Sequence, residues 1–409
     1  MSKPEYYIHT LPSGIRLIHR PVKSPVAHLG LFINTGSRDE NANEHGLAHL
    51  IEHMLFKGTA RRKAYYILSR MENVGGELNA YTTKEETCIH GTFFDKYYAR
   101  ALELISDIAF NSSFPANELK KEREIILDEI NSYKDSPSEL IFDEFEELLF
   151  DGNPLARNIL GNEEGLKLFT PDSIRSFIRR NYCTSQMVVS SVGNIEFRQL
   201  VNLCETYFNT PAMKPSGSRV HATYDYKPVY RKVERNTFQT HCVIGNLAYK
   251  IDDNRRLPLY LLNNYLGGPG MNSRLNMALR ERKGYAYTID SMYTAYTDTG
   301  NITIYFGTDK LLVEKCKDII LKELQQLREK PLSLLQLQRA KRQVHGHIAI
   351  SSENNENYML SMGKSLMIFN KIESLDDTGR KIEAITSRQL TEIANDVLDA
   401  NRLSYLIYQ

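Results

Sequence analysis

Between residues 5 and 34 apolar and polar positions alternate in strand fashion. YYIHT is followed by a Pro-Ser-Gly turn, then IRLIHR, then VAHLGLFIN, which ends at Thr35-Gly36. From Gly46 the period changes. GLAHLIEHMLFKG has no interior Gly or Pro and is rich in Leu, Ala, Met and Ile, so it predicts a helix bounded by Gly46 and Gly58. A short helix follows over 64–74, broken by Gly75-Gly76. LNAYTTKEETCIHGTFF then reads as two strands with a polar turn near Lys84–Glu86. Long amphipathic stretches predict helices from Asp95 to Phe110 and from Asn117 to Tyr133, and further helical segments over 139–149, 171–181 and 195–208. MVVSSVGN reads as a buried strand. Pro211, Pro215, Gly217 and Ser218 mark a linker over 213–228, which separates residues 1–212 from 229–409.

The helix from Gly46 to Gly58 carries the densest chemistry. At about 100° per residue, His49, Glu52 and His53 fall within an arc of roughly 100°, while Leu47, Leu50, Ile51, Met54 and Leu55 fill most of the remaining circumference. Such a helix is buried, and three titratable groups on it are costly unless paired or ligated. Imidazoles at i and i+4 have the spacing a divalent metal takes from one helix, and Glu52 is placed to act as general base beside them. H-x-x-E-H is the inversion of the H-E-x-x-H metal motif. A satisfied core histidine beside surface charges is the bland alternative. His45 extends the i, i+4 ladder but precedes Gly46, and is left out of the site.

In NELKKEREIILDEINSY the apolar face comprises Leu119, Ile125, Ile126 and Ile130, and both Glu122 and Glu129 fall on it. Carboxylates in an apolar stripe need a cation or hydrogen-bond donors, and a core Arg or a capped backbone group would serve as well as a metal.

The chain has 409 residues, 42% hydrophobic and 25% charged, with a formal net charge of +1. That describes a globular protein of two or more domains and leaves nucleic-acid binding without a basic footprint. Cys88, Cys183, Cys204, Cys242 and Cys316 are scattered, with no C-x-x-C pair, which argues against a disulfide framework. No apolar run reaches the length of a membrane span and the N-terminus lacks an apolar signal core, so a cytoplasmic location with no membrane partner is the expectation.

After the linker the order of elements repeats. RKVERNTFQTHCVIGNLAY parallels the first strand pair, LPLYLLNNYLGG the motif helix, and YAYTIDSMYTAYTDTGNITIYFGT the paired strands. DKLLVEKCKDIILKELQQL and LLQLQRAKRQVHGHIAIS parallel the two long helices. The second copy has neither H-x-x-E-H nor the carboxylate pair. His345 and His347, at i and i+2, point to different helix faces.

Taken in order, GLAHLIEHMLFKGT, LNAYT at Leu78 to Thr82, a Glu 76 positions beyond His53 (Glu129), and LGGPGMNSRLNMALRERKGYAY resemble the pitrilysin-type zinc metallopeptidases, or inverzincins, in their half-length, processing-peptidase-like branch. The resemblance covers essentially the whole chain. It implies an α+β fold of two tandem, structurally similar α/β domains, each a mostly antiparallel sheet packed with helices, together forming half of a hollow clamshell.

It further implies a zinc endopeptidase that cuts unstructured peptides or processes protein extensions in an enclosed chamber. One zinc per chain would be held by His49, His53 and Glu129, with Glu52 as general base and Glu122 orienting a ligand histidine. Asn79, Ala80 and Tyr81 resemble the edge strand on which an extended peptide pairs. Arg280 and Tyr287 match an Arg-x6-Tyr pair that binds the substrate carbonyl or the developing oxyanion. Their bland reading is a surface Arg and a strand-embedded Tyr. Half-length members act as two chains. No glycine-rich loop of the noncatalytic partner type is present beyond LGGPG at 266–270, so a homodimer is implied, with a heterodimer or a noncatalytic scaffold of the same fold as the alternatives.

Overall fold

The computed structural model describes residues 5–215, 219 and 226–409. Most of the linker expected over 213–228 therefore lies outside the described residues. Eleven strands form two sheets among the described residues: β1 (Tyr7–Thr10), β2 (Arg16–Pro21), β3 (Val26–Ile33), β4 (Glu77–Thr82), β5 (Thr87–Phe94) and β6 (Met187–Gly193) in the first, and β7 (Tyr230–Val233), β8 (Thr240–Ala248), β9 (Ala286–Ala295), β10 (Gly300–Thr308) and β11 (Ser404–Tyr408) in the second. The helices are α1 (Leu47–Leu55), α2 (Ala64–Glu72), α3 (Tyr98–Asn111), α4 (Ala116–Lys134), α5 (Pro137–Leu149), α6 (Glu163–Leu168), α7 (Pro171–Asn181), α8 (Phe197–Tyr207), α9 (Arg256–Gly267), α10 (Val313–Glu329), α11 (Leu334–Glu353), α12 (Asn355–Phe369), α13 (Leu375–Ala384) and α14 (Ser387–Val397).

The first sheet runs in the order β1-β2-β6-β3-β5-β4 and the second in the order β7-β11-β8-β10-β9. Their pairings match one for one. β2 and β6 are parallel, as are β7 and β11, and the remaining neighbours are antiparallel. The repeat read from element order is thus a repeat of topology, and β1 has no counterpart in the second sheet. In each sheet the strand that ends the meander, β4 or β9, lies at an edge.

The two compact units are not cut by one point in the chain. The first gathers described residues from 1–131, 157–220 and 351–372, and the second those from 132–156, 221–350 and 373–409. In the first unit, α1, α3, α7 and α8 bury their apolar faces on one side of the sheet, around Leu29, Leu31, Ile89 and Val189. The other side is covered by α12, whose Met359, Met362 and Leu366 lie on Ile18, Phe32 and Val188. In the second unit, α5 takes the same place, with Ile141, Phe145 and Leu149 on Val243, Tyr305 and Leu406. Each of these helices is seated by a glycine that lets backbone and ring approach. Gly363 faces the Phe32 ring, and a Cβ on Gly245 would stand 2.8 Å from Phe145.

In α4 the structure departs from the expected apolar face. Leu119, Glu122, Ile126 and Ile130 are buried at i, i+3 and i+4 steps, a stripe too narrow to include Ile125, which is 49% exposed.

Phe145 is fully buried, so Phe145→Ala is expected to cost about 3–5 kcal/mol in denaturant unfolding. A loss below about 1 kcal/mol would mean that α5 is not part of the core of the second unit.

Candidate metal centre

Helix α1 is wedged into the first core on its apolar side, with Leu50, Ile51, Met54 and Leu55 all fully buried. Its N-cap, Gly46, is in the left-handed conformation at φ 94°, which an L side chain rarely adopts. Gly46 also meets Gly161 backbone to backbone, and a Cβ on Gly46 would stand 2.7 Å from the Gly161 Cα. Since Gly46 brings no side chain to cap the helix, Glu40 does so. Its buried carboxylate accepts the amides of Gly46 at 3.0 Å and Ala48 at 2.8 Å. Burial pushes the Glu40 carboxyl up to about 8, while those two amides and the charge of Arg157 pull it down.

The polar strip of α1 faces α4. Glu129 Oε2 lies 3.8 Å from His49 Nε2 and 3.7 Å from His53 Nε2. One ligand atom from each of the three residues falls within 4.8 Å of the others, the one such cluster among the described residues. Ligand atoms about a tetrahedral zinc, at roughly 2.0–2.1 Å each, stand about 3.4 Å apart, so a small inward shift closes the set onto an ion. The expectation that Glu129 lies inside the apolar stripe is not met. Its side chain is 43% exposed, at the open rim of the strip, because the buried stripe of α4 runs through Ile126 and Ile130 instead.

The two imidazoles are held differently. His53 Nδ1 donates to Glu122 Oε2 at 3.1 Å, which leaves Nε2 for a ligand. Glu122 is 4% exposed at its side chain, and its other oxygen lies 2.7 Å from the Lys57 ammonium. Lys57, one helical turn beyond His53, is a functional candidate that the sequence reading missed. The signal for it was the i+4 spacing from His53 within the motif itself. His49 has no such anchor. Its Nδ1 is buried without a hydrogen-bond partner, and its Nε2 is too far from Glu129 for a hydrogen bond. Burial pushes the His49 imidazole down to about 4, and the charge of His53 adds to that, so the ring is neutral at pH 7, the form that ligates metal. Two imidazole Nε2 atoms facing one carboxylate oxygen, none of them at hydrogen-bond distance, fit a cation between them.

Glu52 lies on the same strip, against Thr82 at the end of β4. Burial raises its carboxyl above the usual range and Glu129 adds to this, whereas Thr82 and the charge of His53 act against it. His45 stands outside the strip, with Nε2 donating to the Asn158 carbonyl at 2.8 Å and Nδ1 accepting from the Asn162 amide at 3.2 Å.

On the edge strand β4, Leu78 and Ala80 pack toward the core that holds α1, and Tyr81 packs toward α12, its hydroxyl donating to Glu86 at 3.2 Å. Asn79 is exposed, and its side-chain oxygen accepts the Ala80 amide at 2.8 Å. In the second unit, Arg280 is exposed in the π-helical turn Asn276–Glu281. Tyr287 is 54% exposed near the start of β9, with its hydroxyl 3.3 Å from Asp309 Oδ1.

The family model for insulinase (peptidase family M16) matches residues 17–163, the stretch that contains this centre, and the model for the peptidase M16 inactive domain matches 168–344. The chain belongs to peptidase family M16. Among its relatives, a Bacillus subtilis protein named "uncharacterized zinc protease YmxG" is 31% identical over 95% of each chain. A Streptomyces coelicolor protein that also carries the name of uncharacterized zinc protease is 32% identical over 95% of this chain and 86% of its own. Two solved structures share the fold at a TM-score of 0.92. One is of a protease from Helicobacter pylori, 18% identical and covering 100% of both chains. The other, described as a peptidase M16 inactive domain from Pseudomonas fluorescens, is 20% identical and covers 99% of this chain and 98% of its own. The half-length M16 architecture of two tandem α+β domains is therefore the architecture of this chain. No helix among the described residues is long and apolar enough to cross a membrane.

If Glu122 orients His53, Glu122→Gln is expected to weaken zinc binding about 10- to 100-fold in chelator competition. Unchanged affinity would assign Glu122 to packing alone.

Proposed function

We propose that this M16 chain is a zinc endopeptidase acting on extended, unstructured peptide. The observation that carries the proposal is the approach of Glu129 to His49 and His53 on a helix that also presents Glu52. In this reading His49, His53 and Glu129 hold the ion and leave one position open, as a catalytic zinc site requires. Zinc held there supplies a Lewis acid for the scissile carbonyl and lowers the pKa of a water.

Glu52 takes the proton from the attacking water and returns it to the leaving amine as the peptide bond breaks. Burial raises its carboxyl above the usual range, so it holds the transferred proton more readily than a solvated carboxylate would. Glu122, fixed by Lys57, keeps the His53 ring turned so that Nε2 faces the ion. The peptide adds as a strand to the free edge of β4, where the backbone of Asn79, Ala80 and Tyr81 supplies the pairing groups. Since the Tyr81 side chain is turned toward α12, pairing there selects for extended backbone, and the Asn79 side chain must release the Ala80 amide to admit it.

Arg280 and Tyr287 are assigned to the substrate carbonyl or oxyanion, reached within one chain or from a partner copy in a homodimer. A noncatalytic scaffold has no need of three converging ligands with a base beside them, and that speaks against the alternative.

Glu52→Gln is expected to lower cleavage of an unstructured peptide about 10²- to 10⁴-fold while one zinc per chain is retained. Cleavage at the parental rate would reject the mechanism. Arg280→Ala and Tyr287→Phe are expected to lower kcat/KM with zinc content unchanged. Unaltered kinetics in both would return them to the role of surface residues.

A further inference from the structure

We propose that Glu40 is the positioning residue for His49: through the first turn of α1 it sets where that imidazole stands relative to Glu129. The inference rests on the metal-centre reading above. It starts from an asymmetry. His53 is oriented directly, by the Glu122 carboxylate on Nδ1, whereas His49 Nδ1 has no partner. Beyond its edge-on contact with the His53 ring at 4.7 Å, the place of His49 is set by its backbone, which is the first turn of α1.

The amides of that turn have no partner within the helix, and Gly46 offers no side chain to them. Glu40, six residues upstream and 4% exposed, takes two of them, including that of Ala48, the residue before His49. Each of its two oxygens takes one amide, so the side chain holds the turn at two points.

Glu40 is itself anchored on both sides. Upstream, the Ser37 amide donates to the Thr83 carbonyl at 3.1 Å and the Arg38 amide to the Lys84 carbonyl at 2.9 Å, while the Arg38 guanidinium pairs with Glu85. That is the β4–β5 turn, and Thr82, which immediately precedes it, borders Glu52. Downstream, Arg157 Nη1 donates to the Glu40 carbonyl at 2.9 Å, and the same 157–162 segment holds His45 and abuts Gly46. The segment from Ser37 to Glu40 thus ties the start of α1, through Glu40, to the turn that follows β4, through Ser37 and Arg38, so that ion and peptide edge keep one register. The two histidines of the motif are placed by two different carboxylates.

The test measures zinc affinity by chelator competition, and the visible absorption of the cobalt-substituted protein, for the wild type, Glu40→Ala and Glu40→Gln. Ile382→Ala, a fully buried core position in the second unit, serves as a control for stability loss. Glu40→Ala is expected to bind zinc about 10- to 100-fold more weakly and to shift the cobalt bands, with Glu40→Gln, which can accept only one of the two amides, in between. Ile382→Ala should lower the melting temperature but keep wild-type affinity and spectrum. Wild-type affinity and cobalt spectrum in Glu40→Ala would overturn the inference alone. Should that variant not fold, the same result in Glu40→Gln would do so. A wild-type chain that binds no zinc would overturn the metal centre and this inference with it.

Discussion

The burial of polar, titratable groups on one strip of α1 is the constraint on which the first unit depends. Leu50, Ile51, Met54 and Leu55 drive the helix into the core, and the same burial takes His49 out of water. Imidazoles taken out of water are tolerated only where something answers them. Here α4 does so twice, with Glu122 on the His53 ring and Glu129 across the open side of the strip. The helix ends are braced separately. Glu40 caps the first turn, and the loop beyond Lys57 is tied to α3 through Thr59 and Arg62, both bonded to Asp107.

The second unit shows what the same topology does without that constraint. Helix α9 packs on the edge strand β9 as α1 packs on β4, and it too carries buried polar residues. Asn263 donates to the Ser291 carbonyl at 3.0 Å and accepts from the Ser291 hydroxyl at 2.5 Å. Asn263 is spent on the neighbouring strand, and among the described residues α9 carries no cluster of His, Cys, Asp or Glu of the kind seen on α1. The two copies of one architecture thus differ: one leaves a cluster of two His and a Glu on its strip, and the other bonds its buried Asn263 to the neighbouring strand. The inactive-domain model matched over 168–344 accords with that difference.

Much of this was legible in the sequence, because the features concerned are local and periodic. The α1 helix lies between glycines, the strands alternate, and the order of elements repeats, as the sheet topology does for every strand but β1. What escaped depends on distance along the chain. An amphipathic helix announces an apolar face but not the sheet it covers, so the division at the linker did not reveal that α5 covers the second sheet and α12 the first. The helical wheel placed Ile125 and Glu129 on the buried face of α4, but only a narrow stripe is buried there and both are exposed. Glu40 gave no signal, since it caps from six residues upstream through a loop whose path the sequence does not state. Lys57 was visible in spacing but gained meaning only once Glu122 was seen beside it.

Anomalous scattering at the zinc absorption edge, from crystals of the protein grown with zinc, addresses the central claim most directly. The account predicts one strong peak per chain at about 2.0–2.2 Å from His49 Nε2, His53 Nε2 and a Glu129 carboxylate oxygen. A peak bound elsewhere, or a Glu129 side chain turned away from the two imidazoles with no peak between them, would contradict it.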